Sequence, residues 1–111
     1  MAGIYLDNAA TTAVDPRVVE VMLPYFSSHY GNASSLHRYG QDAREAMERA
    51  RENIASFMGA KPGEIVFTAS GTEANNLAIK GIAFANRERG NHVVVLSIEH
   101  DCILNSCRWL E

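Results

Sequence analysis

Glu64-Ile65-Val66-Phe67-Thr68 and His92-Val93-Val94-Val95-Leu96-Ser97 bracket a segment of helical period, and this spacing constrains the fold more than anything else in the chain. The first run is short, β-branched and aromatic. The second is continuously apolar, the pattern of a strand buried on both faces. Between them, from about Gly71 to Arg89, Ala74, Leu77, Ala78, Ile82 and Ala85 recur on one face, and Gly90-Asn91 closes the segment. Strand, helix, strand at this spacing is a βαβ unit, so the strands are expected to be parallel, with a right-handed crossover. Parallel strands belong to sheets of several strands with both faces covered, and two alone leave open edges. The spacing therefore predicts part of a larger α/β protein, with helices around a βαβ unit of a mixed, mostly parallel sheet. A last helix is expected from about Asp101, still running at Glu111 with no closing glycine or proline, which fits the same expectation.

Upstream the pattern is helical. Residues 1–14 read as an arm, extended at its start. Asp15-Pro16 is an N-cap followed by proline at the first helical position. Val18, Val19, Met22, Leu23 and Phe26 then share a face, and Pro24 should kink or end this helix. Residues 27–37, rich in Ser, Gly, Asn and His, read as a loop. The longest helix is expected over 38–58, with Ala43, Ala46, Met47, Ala50, Ile54, Phe57 and Met58 as its apolar stripe and Gly59 as its stop. Its other face carries charges at i,i+4 spacing, Glu45 with Arg49 among them, which is the composition of a solvated face. Lys61-Pro62-Gly63 is a turn. The organisation is an arm (1–14), a helical region (15–60) and the start of an α/β domain (64–111).

Composition excludes several classes. Hydrophobic residues make up 47% and charged residues 21% of the 111, so the chain is neither disordered nor collagen-like. A net charge of -3 lacks the basic excess of a nucleic-acid binder. No apolar run approaches the roughly 20 residues that span a membrane. The N-terminus has no basic and apolar signal pattern, and Cys102 and Cys107 make no disulfide framework, so a reducing cytoplasm is expected. The histidines and cysteines match no metal-ligand spacing, and no metal is expected.

Two stretches can carry chemistry. In Thr68-Ala69-Ser70-Gly71-Thr72-Glu73, Ser70 and Glu73 form a capping box where a strand passes into a helix. Gly71 lets a ligand approach the backbone, Thr72 adds a hydroxyl, and the free N–H groups of the first turn suit a phosphate. The same residues also read as a helix cap with no ligand. Glu99-His100-Asp101 lies past the end of the second expected strand, on the sheet edge where ligands of open α/β sheets bind. A histidine there can stack on a ring or move protons. It is equally a histidine of ordinary structural role.

Taken together these residues resemble the N-terminal part of the cysteine desulfurases, pyridoxal-phosphate enzymes of the class-V aminotransferase group with fold type I. The resemblance covers essentially the whole chain. It is carried by Tyr5-Leu6-Asp7-Asn8-Ala9-Ala10-Thr11-Thr12, by Tyr30-Gly31-Asn32-Ala33-Ser34-Ser35-Leu36-His37, by the run from Thr72 to Gly81, and by Glu99-His100, in order and at the family's spacing. It implies that residues 64–111 begin the cofactor-binding domain. It implies that Gly71 and Thr72 hold the phosphate of pyridoxal 5'-phosphate. It gives His100 a cofactor-binding and catalytic role, stacked on the pyridine ring and assisting proton movement. The implied reaction takes sulfur from L-cysteine, leaving L-alanine and an enzyme persulfide that feeds iron–sulfur cluster assembly or tRNA thiolation. The implied partners are a sulfur-acceptor or iron–sulfur scaffold protein and, for the parent enzyme, a second copy of itself; neither nucleic acid nor membrane is bound directly.

The sequence departs from the family pattern in places. Ala69-Ser70-Gly71-Thr72 stands where Ser-Gly-Ala-Thr is usual, which keeps the phosphate contact. Ala33 replaces the loop proline, which should loosen Asn32. Neither Lys61 nor Lys80 has the context of the family's cofactor-linking lysine, and that lysine, the aspartate paired with the pyridine nitrogen and the sulfur-accepting cysteine lie beyond residue 111 in the family. The chain alone is therefore expected to be inactive. Two other readings are a short non-catalytic protein that binds or completes a partner chain, and another class-V enzyme such as a selenocysteine lyase or an aminotransferase. The Asn8-Ala9-Ala10-Thr11-Thr12 arm and the Asn75-Asn76 pair favour the desulfurases over the latter.

Overall fold

The computed structural model describes residues 3–111. Met1 and Ala2, the first residues of the expected arm, lie outside the described residues. Residues 3–7 and 11–15 have no regular structure, with a turn between them. The chain divides between Ile65 and Val66 into two compact units.

In the first unit, α1 spans Pro16–Met22. Asp15 caps it, accepting from the Arg17 N–H at 2.9 Å. The Arg17 guanidinium also donates to Asp15, at 2.7 Å, and together these bonds hold the Asp15 carboxyl below its ordinary range. The resulting stabilisation is present above the unfolded carboxylate pKa, about 3.9, and is lost as pH falls through the lower folded value. Pro24 ends the α-helix as expected, and the chain continues as a 3-10 helix over Leu23–Phe26.

Helix α2 spans Arg38–Met58, the length its apolar stripe predicts. Gly59 stops it with φ 66, a left-handed conformation that costs glycine least. The buried residues of α2 are Gly40 and Ala55, neither of them in the expected stripe, whose Met47, Ile54, Phe57 and Met58 are exposed. The Glu45–Arg49 pair forms at 3.4 Å on the exposed face, where such pairs contribute only about 0.3–0.5 kcal/mol. The Lys61-Pro62-Gly63 turn is a 3-10 helix over Pro62–Glu64. The Arg51 guanidinium donates to the Ile65 carbonyl and ties the exit of this turn to α2.

The loop before α2 is tied more tightly than the Ala33 substitution suggests. Asn32 Oδ1 accepts from the Ser34 N–H at 2.9 Å, and its carbonyl accepts from the Ser35 N–H at 2.9 Å. Arg44 Nε donates to the Ala33 carbonyl at 2.9 Å. Tyr30 and Tyr39 stack with centroids 6.0 Å apart. The two Asn32 bonds supply local restraint where proline would, and the Arg44 bond and the tyrosine stack tie the loop to α2.

In the second unit, α3 spans Gly71–Ala85 and α4 spans Asp101–Leu110. The expected strands do not form a ladder. Among the described residues none is in a strand; 65–68 and 91–96 run without regular structure. Glu64 belongs to the preceding 3-10 helix rather than to a strand. Backbone groups of a parallel strand bond only to a neighbour, and segments consecutive in sequence are not always adjacent in a sheet. The apolar run that reads as doubly buried is open instead, with Val94 84% and Leu96 63% exposed. Helix α3 also stops short of Arg89; at its C-cap the Asn86 N–H donates to the Ile82 carbonyl at 3.1 Å and the Asn86 side-chain amide donates to the same oxygen at 2.9 Å.

The exposed apolar surface has a thermodynamic consequence. Two separate compact bodies sharing this chain's mass would expose roughly 7,300 Å². The chain exposes 9783 Å². At about 25 cal/mol per Å² of apolar area, burial this incomplete leaves little to oppose chain entropy. The isolated chain is therefore expected to melt broadly or self-associate. Calorimetry with sedimentation checks this, and a sharp two-state melt of a clean monomer would contradict it.

Candidate functional site

The Ser70–Glu73 capping box forms, with one change. Ser70 Oγ accepts from the Glu73 N–H at 3.2 Å. Glu73 Oε2 reaches back one residue further than the usual pattern, accepting from the Ala69 N–H at 2.7 Å. The Ser70 carbonyl accepts from the Ala74 N–H at 3.0 Å. These bonds satisfy the third and fourth amides of α3. The first and second, on Gly71 and Thr72, have no hydrogen-bond partner among the described residues. A Cβ built on Gly71 meets nothing within 4 Å, so the space in front of the helix start is open. Thr72 is exposed beside it.

His100 caps α4. Its Nδ1 accepts from the Cys102 N–H at 3.2 Å. Nδ1 also lies 3.1 Å from Cys102 Sγ. Asn75 Nδ2, one turn along α3 from Gly71, donates to the same sulfur at 3.2 Å.

The two helices of this unit run parallel. Asn75, one turn into α3, meets Cys102 in the first turn of α4, while Phe84 and Trp109 meet edge to face near the other ends, with centroids 6.1 Å apart. Ser106, 2% exposed, lies within α4, its hydroxyl donating to the Cys102 carbonyl at 2.7 Å. Parallel packing brings both helix N-termini to one end of the unit, where their dipoles add. The first turn of α3, with Gly71 and Thr72, and the His100 cap of α4 therefore share that end. This arrangement can hold an anion at the first turn of α3, with an imidazole at the same end of the unit.

Asn75 and Cys102 were not legible as partners of His100, because a contact between residues 27 apart in sequence is tertiary. The local signal was half present: His100-x-Cys102 has the spacing of a cap whose acceptor bonds the second amide of the helix.

The two lysines stand elsewhere. Lys80 Nζ sits 4.6 Å over the Trp109 ring, and the Lys61 N–H donates to Glu64 Oε2 at 2.7 Å in the turn after α2. Cys107 is half-buried. A cleft of about 690 Å³ lined by Ile79, Ile82, His92, Val94 and Leu110 includes none of Gly71, Thr72 and His100. No group of three or more His, Cys, Asp or Glu that could hold a metal is found among the described residues, and no helix of the described residues is long and apolar enough to cross a membrane.

Comparison with known proteins extends these observations. The Aminotransferase class-V family model matches residues 4–111. A cysteine desulfurase IscS of Methanosarcina thermophila is 50% identical over 109 residues, which are 98% of this chain and 27% of that protein. A cysteine desulfurase of Rattus norvegicus is 52% identical over 109 residues, 97% of this chain and 24% of that protein. The solved structure of a NifS-like protein superposes with a TM-score of 0.84 at 39% identity, over 93% of this chain and 28% of the other. The chain thus spans about a quarter of the length of the curated relatives it matches.

Proposed function

The chain belongs to the class-V aminotransferase family, and from that premise we propose that it is the N-terminal part of a cysteine desulfurase of fold type I. The whole enzyme takes sulfur from L-cysteine, leaves L-alanine, and carries the sulfur as a persulfide on a cysteine outside these residues. That sulfur passes to an acceptor or scaffold protein for iron–sulfur cluster assembly or tRNA thiolation. The enzyme acts in the cytoplasm as a homodimer. The apolar segments 65–68 and 91–96, in no strand among the described residues, would pair into a sheet that the remainder of the protein completes.

One observation supports this reading above the rest: two unpartnered amides open α3 at Gly71 and Thr72, at the same end of the unit as the His100 cap. These residues fit pyridoxal 5'-phosphate. The amides of Gly71 and Thr72 and the Thr72 hydroxyl would hold its phosphate, with the helix dipole adding about 0.3–1 kcal/mol for the anion. When bound, the cofactor supplies an electron sink for bond cleavage at the substrate. His100 would lie against the ring, and because its Nδ1 caps α4, Nε2 is the atom through which it can move a proton. Neither Lys61 nor Lys80 has the context of the family's cofactor-linking lysine, which the resemblance to the cysteine desulfurases puts beyond residue 111. The 111 residues alone are inactive for the same reason.

The test is cofactor affinity in the complete protein, by absorbance titration of the apo form. A hydroxyl bonded to a charged acceptor is worth about 1.5–3 kcal/mol, so Thr72→Ala should weaken binding by roughly one to two powers of ten. In parallel, the 111-residue chain given pyridoxal phosphate and L-cysteine should form no alanine above the free-cofactor background. Wild-type affinity in Thr72→Ala, or turnover by the short chain, would refute this assignment.

A further inference from the structure

Three features of the second unit converge on one ring nitrogen. His100 Nδ1 accepts from the Cys102 N–H, so its lone pair faces Cys102. Cys102 Sγ is 3.1 Å from the same nitrogen. Asn75 Nδ2 can only donate, and it donates to that sulfur at 3.2 Å. A sulfur that accepts from Asn75 and faces an unprotonated nitrogen has one consistent place for its proton, on the line to Nδ1. The chain of bonds therefore has a single direction: Asn75 N–H to Sγ, then S–H to Nδ1.

We propose that Asn75 and Cys102 are positioning residues for His100, holding Nδ1 as an acceptor and so keeping the ring proton of the neutral imidazole on Nε2. The consequence is a fixed tautomer. A proton on Nδ1 would meet the Cys102 N–H, a donor held in place by the helix, and would displace the thiol proton from the line to Nδ1. The ring therefore presents an N–H at Nε2, while α3, which carries Gly71 and Thr72, is tied to the ring through Asn75. What the ring is used for rests on the function proposed above; the tautomer does not.

The measurement is the ratio of the two neutral tautomers of His100, read from the nitrogen NMR shifts of Nδ1 and Nε2. It uses the complete protein freed of cofactor, with the signals assigned by their loss in His100→Gln. A pH of about 7.5 lies between the ordinary imidazole and thiol ranges. Cys102→Ser keeps a donor and an acceptor at the position and should retain the wild-type ratio, with Nε2–H dominant. Cys102→Ala removes the second donor, while its backbone cap survives. One hydrogen bond of ordinary net strength corresponds to about a fivefold fall in the Nε2–H to Nδ1–H ratio. Asn75→Asp should fall similarly, because a carboxylate accepts the thiol proton and turns it away from Nδ1.

An unchanged ratio in both Cys102→Ala and Asn75→Asp would overturn the proposal, as would a Cys102→Ser protein that behaves like Cys102→Ala. If Cys102→Ala does not fold, Cys102→Ser against Asn75→Asp decides in the same way. Cofactor titration of the same wild-type sample separates the two ideas. A protein that binds no pyridoxal phosphate yet shows the predicted ratios refutes the function and leaves the positioning intact.

Discussion

Gly40→Ala is expected to destabilise the complete protein by about 2 kcal/mol or more, although alanine is the better helix former. Gly40 is buried in the first turn of α2, beneath the loop that precedes it. A Cβ there would lie 2.6 Å from the Asn32 carbonyl oxygen and 2.8 Å from Ser35 Cβ, and would also strike the Ser35 carbonyl oxygen. Backbone carbonyls cannot rotate aside as a long side chain can, so the loop must lift from the helix. Lifting strains the His37 cap on the Gly40 N–H and the Arg44 bond to the Ala33 carbonyl. The roughly 1 kcal/mol of helix propensity gained is smaller than this loss. Gly31→Ala should act in the same direction, since its Cβ would strike the Tyr39 carbonyl. The control is Gly63→Ala, whose Cβ meets nothing within 4 Å and which should stay within about 0.5 kcal/mol of wild type. Denaturant titration, with hydrogen exchange over residues 30–44, measures both. Equal stability of Gly40→Ala and Gly63→Ala would mean that the loop does not rest on the helix.

Gly71→Asp should lower the affinity of the complete protein for pyridoxal phosphate by at least about a hundredfold. The substitution is mild for the fold, because the position is open and a carboxylate in a helix's first turn interacts favourably with the dipole. The same charge opposes a phosphate at the Gly71 and Thr72 amides. Two unit charges about 4 Å apart interact by about 4 kcal/mol at an effective dielectric of 20, and solvent at this exposed turn reduces that figure. About 3 kcal/mol corresponds to two powers of ten in affinity. Gly71→Ala, equally open sterically and uncharged, should bind normally. Absorbance titration of the apo-protein separates the two variants, and circular dichroism should show equal helix content. If Gly71→Asp binds as tightly as Gly71→Ala, the turn is a helix cap and no more.

The elements legible in the sequence are those whose ends are decided locally. Asp15-Pro16 opens α1 because a carboxylate can cap the amide two residues on and proline needs no donor. Gly59 closes α2 because the stop needs a left-handed residue. Ser70 opens α3 through its hydroxyl, as the capping box predicts. The family, too, was legible, because motifs at Thr72–Gly81 and Glu99-His100 keep their types and order without reference to any contact.

What the sequence could not decide are pairings over distance. The β-branched runs at 65–68 and 91–96 carry the composition of strands, but a ladder bond joins two chains of backbone, and no residue's own pattern names its partner. The Asn75–Cys102–His100 chain is of the same kind: each residue has a plausible local role, and only the parallel packing of α3 on α4 brings an amide, a thiol and an imidazole to one point. Sequence by itself determined where the helices begin, where Gly59 ends α2 and which family the chain joins, since these rest on bonds and motifs within a few residues. Tertiary structure alone decided how the loop at 30–37 rests on α2 and which nitrogen of His100 is engaged, since both depend on atoms brought together by packing.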